Sequence, residues 1–176
     1  MVAGGILVSM SLIAMLWLTG VSDLWWTTGT QSEVRIRSQQ AVNRIVSELR
    51  SATRTAPASP PNAVIPAAPG NTTMTFYLPK DIDLNGLIID ANGNTEWDVG
   101  APVQYTYAPA QRQLLRTQNG QQTVMASDVS AAAFDDRTTL AALGANEVRV
   151  SLTVQRTTPQ GRTVLASSSE IVKLRN

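Results

Sequence analysis

Residues 1–18 read MVAGGILVSMSLIAMLWL, and no charged side chain interrupts them. At about 1.5 Å of rise per residue, a helix of this length spans roughly 27 Å, close to a hydrocarbon core of about 30 Å. Thr19, Gly20, Val21 and Ser22 carry the run to the first charge, Asp23, and Trp25 and Trp26 fall where an interfacial aromatic belt would lie. A cleaved signal peptide would show a basic start, a shorter apolar run and a small-residue cleavage site. This run has no basic start, and a helical pattern follows it. A membrane-spanning helix is therefore expected, ahead of a wholly buried core helix.

The helical pattern continues beyond the apolar run. Between residues 31 and 52, Val34, Ala41, Val42, Ile45, Val46, Leu49 and Ala52 draw one apolar stripe, with Arg44 and Glu48 assigned to another face. Ala41, Ile45 and Leu49 are its expected contacts with a sheet. One helix from near Met1 to about Thr53 is predicted, softest around Gly20 and Gly29 because glycine costs about 1 kcal/mol against alanine. Arg35, Arg37, Arg44, Arg50 and Arg54 follow the apolar run, against only Glu33 and Glu48. No Lys or Arg precedes it, so the positive-inside bias read literally would leave the C-terminal part in the cytoplasm.

Five of the nine prolines crowd between residues 57 and 69, a density that excludes a helix or a central strand. Beyond them the hydrophobic period changes to two. Strands are predicted at residues 73–78, 103–108, 113–117, 123–125, 146–157 and 162–174. The clearest is the alternation of Val148, Val150, Leu152 and Val154 with Arg149, Ser151, Thr153 and Gln155. Asn119-Gly120 and Thr158-Pro159-Gln160-Gly161 are turn signals, and connections this short imply antiparallel pairing. The expected class is α+β: a helix (residues 1–55), a Pro-rich linker (56–72) and an antiparallel β head (73–176) carrying the helix on one face.

Composition narrows the chemistry. Cysteine and histidine are both absent, which removes disulfides, thiolate metal sites, Cys nucleophiles and imidazole acid–base catalysis. A net charge of +1 gives no sign of a nucleic-acid partner.

Four stretches together resemble the type IV pilin-like family, specifically a minor pilin or the J-type pseudopilin of type II secretion. MVAGGILVSMSLIAM (residues 1–15) is similar to the run that follows the family's Phe-Thr-Leu-Ile-Glu start. AVNRIVSELRSAT (41–53) resembles the end of its helix. VQYTYAPAQRQLLRTQNGQQTVMASDVSAAAF (103–134) resembles its central strands, and VRVSLTVQRTTPQGRTVLASSSEIVKLRN (148–176) its closing hairpin. The resemblance implies a structural subunit of a type IV pilus or secretion pseudopilus, acting at initiation or at the tip. It implies a single-pass anchor in the cytoplasmic membrane and a periplasmic or extracellular head. Its partners would be other pilins or pseudopilins, met through the apolar helix, where Ala3, Gly4, Gly5 and Ala14 allow close approach. Nucleic acid and small-molecule substrates are not expected partners.

The family's basic leader, peptidase site and fifth-position glutamate have no counterpart in these residues. A leader upstream would restore positive charge on the cytoplasmic side, so the natural chain is expected to begin before Met1. An in-frame basic leader ending in Gly and followed by Phe-x-x-x-Glu would separate the pilin reading from an unrelated signal-anchored periplasmic binding or adhesion domain.

Residues 81–88, DIDLNGLI, match the start of an EF-hand-type calcium loop, with oxygens at Asp81, Asp83 and Asn85 and a turn glycine at Gly86. The twelfth position, a bidentate Glu in such loops, is Asn92, and a bare oxygen-rich turn explains the run equally well. No cofactor other than calcium is suggested. Asp135-Asp136 and Glu96 with Asp98 are expected on solvated loops, and Ser167-Ser168-Ser169 on a polar strand face, so no enzymatic activity is expected.

Overall fold

In the computed structural model, residues 2–52, 63–64 and 71–174 are described, without the side chains of 2–8 and 63–64. Helix α1 (Val2–Leu49) is 48 residues long, about 72 Å at the usual rise. It runs unbroken through Gly20 and Gly29 and closes at Leu49, short of Thr53, with Ala52 N–H donating to the Leu49 carbonyl. Two glycines in a ladder this long cost too little to interrupt it.

Val34, Ser38, Ala41, Val42, Ile45, Val46 and Leu49 are all buried, at the 3–4-residue spacing that keeps one helix face inward. That face lies on β7 (Glu147–Thr157) and β8 (Thr163–Lys173) and touches β5 (Gln121–Ala126). Each Val, Ile or Leu so buried contributes roughly 1.5–3 kcal/mol. Glu48 departs from its expected solvent face. It leans into the flank of the head, because its place three residues after Ile45 and four before Ala52 sets it beside the buried stripe.

The β head is two antiparallel sheets where one was expected. The first runs β1-β2-β3-β4-β5, adding β1 (Ala63–Val64), β2 (Thr73–Phe76), β3 (Val103–Ala108) and β4 (Gln113–Gln118) to β5. The second is β6 (Val129–Asp135), β7 and β8. Strand β6 is absent from the strands read by alternation, although the family resemblance over residues 103–134 implied an apolar strand ending at Phe134. Its Val-Ser-Ala-Ala-Ala-Phe-Asp is rich in alanine, a helix former, and only the pairing with β7 draws it into a strand.

The two sheets meet at the ends of β6, where Val129 N–H donates to the Arg112 carbonyl and Phe134 N–H to that of Asn71, both at 2.8 Å. Val103, Tyr105, Met74 and Phe76 from the first sheet share one core with Val148, Val150, Leu152 and the helix stripe. Phe76 and Tyr105 stack with ring centroids 6.1 Å apart.

The turn signals take the expected forms. Asn119 (φ 51°) and Gly120 (φ 73°) both occupy the left-handed region that a two-residue β4–β5 hairpin requires. The β7–β8 hairpin closes with Gly161 N–H on the Thr158 carbonyl at 2.8 Å. Of the Pro-rich stretch, 63–64 form β1, which pairs Ala63 with Phe76, and the remainder up to residue 70 lies outside the described residues.

Candidate functional site

The half of α1 that the head does not cover presents large apolar side chains to solvent. Met10, Leu12, Ile13, Met15, Leu16, Trp17, Leu18, Leu24, Trp25 and Trp26 are between 53% and 78% exposed. They surround the helix rather than forming a stripe, so no face is reserved for water. Among the described residues, no helix is long and apolar enough to cross a membrane. The quoted apolar run begins at residues 1–8, whose side chains lie outside those described, so Ala3, Gly4 and Gly5 have no described packing. Ala14 lies at a shallow concavity with Met10, Ile13, Trp17 and Leu18. A second concavity, at Leu24, Trp25, Thr28, Gly29 and Ser32, includes a glycine. A Cβ added at Gly29 would meet nothing within 4 Å, so the space is open to a neighbour.

Ions fasten the head along the covered half. Asp23 pairs with Arg162 at 2.5 Å, and its Oδ1 is buried without a hydrogen-bond partner. Glu33 pairs with Arg156 at 2.5 Å and with Arg37 at 2.7 Å. Arg50 reaches Glu170 at 3.0 Å. Glu48 makes the most buried of these contacts: Arg116 Nε donates to its two carboxylate oxygens at 3.1 and 3.0 Å, and the Tyr105 hydroxyl donates to Oε2 at 3.0 Å. Burial, then the adjacent Glu48 charge, pushes the Tyr105 hydroxyl far above the usual tyrosine range. Burial alone would depress the Arg116 pKa, but the Glu48 carboxylate outweighs it and holds the guanidinium charged. Ala41, Ile45 and Leu49 sit in the shared core beneath this flank.

Acidic groups gather in the long connection between β2 and β3. Asp81, Asp83 and Glu96 can bring one carboxylate oxygen each within 4.8 Å of the others. Asp81 accepts from Asn85 N–H (3.2 Å) and Gly86 N–H (2.8 Å), and Asp83 from Asn85 N–H (3.1 Å). Asn85 Oδ1 accepts from Leu87 N–H at 2.7 Å, and Gly86 takes φ 85°. The DIDLNG turn therefore has the compact shape that oxygen-rich cation loops use.

The third carboxylate comes from Glu96, not from position twelve. The bridges Ile89↔Thr95 and Pro79↔Trp97 fold the chain back, and Glu96 Oε2 accepts from Ile82 N–H at 2.5 Å. Such a set could hold a hard divalent cation such as calcium. Sequence spacing missed Glu96 because it arrives across a hairpin; the Asn92-Gly93 turn was the available signal.

The Asp135-Asp136 pair is buried, not solvated. Asp135 closes β6 opposite Arg149 and takes 3.0 and 2.7 Å hydrogen bonds from its guanidinium, with a third from Asn71 Nδ2 at 3.0 Å. Burial raises the Asp135 pKa, yet the bonds from Arg149 and Asn71 outweigh it and hold the carboxyl below its ordinary value. Asp136 Oδ1 accepts from Thr138 N–H at 2.8 Å and closes the following turn. These contacts make a brace between strands. Ser167 and Ser169 hydrogen-bond across to Thr153 (2.9 Å) and Ser151 (3.0 Å) on an exposed strand face. Comparison with family models, curated proteins and solved structures finds no match to this chain.

Proposed function

We propose that this chain is a structural subunit of a type IV pilin-like filament, a minor pilin or a J-type pseudopilin. On this reading the apolar start of α1 anchors it in the cytoplasmic membrane with the β head outside. The observation that supports it most directly is the division of α1. The second half lays its apolar face on the head, while residues 10–26 carry exposed apolar side chains on every side. Covering a Leu, Ile, Met or Trp is worth about 1.5–3 kcal/mol, so such a helix needs lipid or other apolar helices around it.

In the membrane the helix is a stored subunit. In a filament it exchanges lipid for neighbouring helices, and the concavities at Ala14 and Gly29 admit their backbones closely. The reading assigns the chain no catalytic step, no nucleic acid and no small-molecule substrate. Calcium, if held by Asp81, Asp83 and Glu96, would brace the loop. Alkaline phosphatase and fluorescent-protein fusions at Asn176 test the topology, with phosphatase activity expected and cytoplasmic fluorescence not. A fluorescent, carbonate-extractable fusion would overturn the anchor and the filament reading with it.

A further inference from the structure

Asp23 is the first charge after the apolar run, and Arg162 comes to it from the turn between β7 and β8. With the run anchored in a bilayer, the depth of this pair follows from the helix. Leu18 to Asp23 is about 7.5 Å of rise, and the headgroup layer on each side of a bilayer is about 5–8 Å thick. Trp25 and Trp26, 78% and 53% exposed, stand at the level of an interfacial aromatic belt. An anchored helix thus carries the Asp23–Arg162 pair among the headgroups.

The turn is built to hold Arg162 there. Thr158 is buried, and its N–H donates to the Arg162 carbonyl at 2.8 Å. Its Oγ1 accepts from Arg162 N–H at 3.1 Å, and its carbonyl from Gly161 N–H at 2.8 Å. Strand register sets Arg156 opposite Val164, two residues or about 7 Å along β8 from Arg162. Their acids, Glu33 and Asp23, are ten residues or about 15 Å apart along α1. The two side chains therefore splay along the helix, Arg162 toward the apolar half.

Asp23 leaves most of that guanidinium free. The contact is made through Oδ2, while Oδ1 has no hydrogen-bond partner, and the Arg162 side chain remains 65% exposed. A guanidinium carries its N–H donors in a planar fork that matches a phosphate. Asp23 and Arg162 cancel in net charge, so the geometry offers a bond to phosphate and not an attraction to anionic surfaces at large.

We propose that the β7–β8 turn is the membrane-facing end of the head and that Arg162, while paired with Asp23, hydrogen-bonds a phospholipid headgroup phosphate. The inference rests on the membrane anchor proposed above and deepens it by fixing which end of the head meets the bilayer. The contact belongs to the stored subunit and is given up when the helix leaves lipid for a filament.

The chain has no cysteine, so a single substitution carries a nitroxide label cleanly. Full-length Gln160→Cys, Lys173→Cys and Met15→Cys chains are labelled in phosphatidylcholine vesicles that include a nickel-chelating lipid, whose headgroup metal relaxes nearby spins. Strong relaxation is expected at Gln160 and little at Lys173, at the far end of β8. A Gln160 label no more relaxed than Lys173, with Met15 shielded from aqueous relaxants, would overturn the proposal and leave the anchor standing. A Met15 label open to water would overturn both. Arg162→Gln in the Gln160→Cys chain should lower the relaxation about fivefold, the worth of one hydrogen bond. Asp23→Asn cuts the ion pair but leaves the guanidinium, and should keep the relaxation. No loss in Arg162→Gln, or an equal loss in both variants, would overturn the phosphate bond.

Discussion

Replacing Glu48 by alanine tests whether the helix is fastened to the head by a shared polar network as well as by its apolar stripe. The substitution removes the acceptor for the Tyr105 hydroxyl and both carboxylate contacts of Arg116. Tyr105 is fully buried, so its orphaned hydroxyl costs about 1–2 kcal/mol. Arg116 and Glu48 are only 16% and 20% exposed, and breaking a fully buried pair costs about 3–5 kcal/mol. Discounted for this partial exposure and for the Gln118 contact that Arg116 keeps, the whole loss is about 3 kcal/mol. Alanine's better helix propensity returns only a few tenths.

Urea unfolding of the full chain in nonionic detergent, followed by circular dichroism, measures this directly. Glu48→Gln keeps an acceptor for Tyr105 and should cost about half as much. In a Tyr105→Phe, Arg116→Met background the Glu48→Ala loss should fall below about 1 kcal/mol, since nothing is left unpaired. A Glu48→Ala chain within about 0.5 kcal/mol of the parent in the native background would refute the network.

Ile45→Asp forces a carboxylate into the shared core, where Ile45 is fully buried, and should lower stability by about 4 kcal/mol; an unchanged melting temperature would contradict its packing role. The Asp135 carboxyl is held below its ordinary value of 3.8, so its stabilisation is full above that pH and is lost as pH falls through the lower folded value. Asp135→Asn should flatten that acid limb in a pH series of melting curves, and an unaltered limb would place the acid sensitivity elsewhere. With Glu96 completing the carboxylate set, millimolar calcium should raise the melting temperature by a few degrees, and Glu96→Gln should abolish the rise. No response to calcium or to chelator would leave the loop as a self-satisfied turn.

Local patterns announced much of the architecture. Val148, Val150, Leu152 and Val154 betrayed β7 by strict alternation, Asn119-Gly120 marked a hairpin, and the spacing from Val34 to Leu49 drew the buried helix face. Contacts between distant segments were not legible. Glu48 meets residues 57 and 68 positions away, and although its place three residues after Ile45 and four before Ala52 sets it on the flank of the stripe, no local pattern names Tyr105 and Arg116 as its partners. Asp135 looks like half of a loop dipeptide until β6 pairs with β7 and sets it opposite Arg149. Glu96 joins Asp81 and Asp83 only once two bridges fold the chain back. The split into two sheets depends on the alanine-rich β6, whose strand character is imposed by its neighbour.

The three pairs Asp23–Arg162, Glu33–Arg156 and Arg50–Glu170 order the β7–β8 hairpin lengthwise against α1, its turn near the solvent-exposed half and its far end near the helix C-terminus. Tension drawn along the helix thus enters the head at several points spread along the hairpin, not at one end of it. Sharing a force among separate ties lowers the load on each, so the hairpin acts as a splice plate over the joint between rod and head.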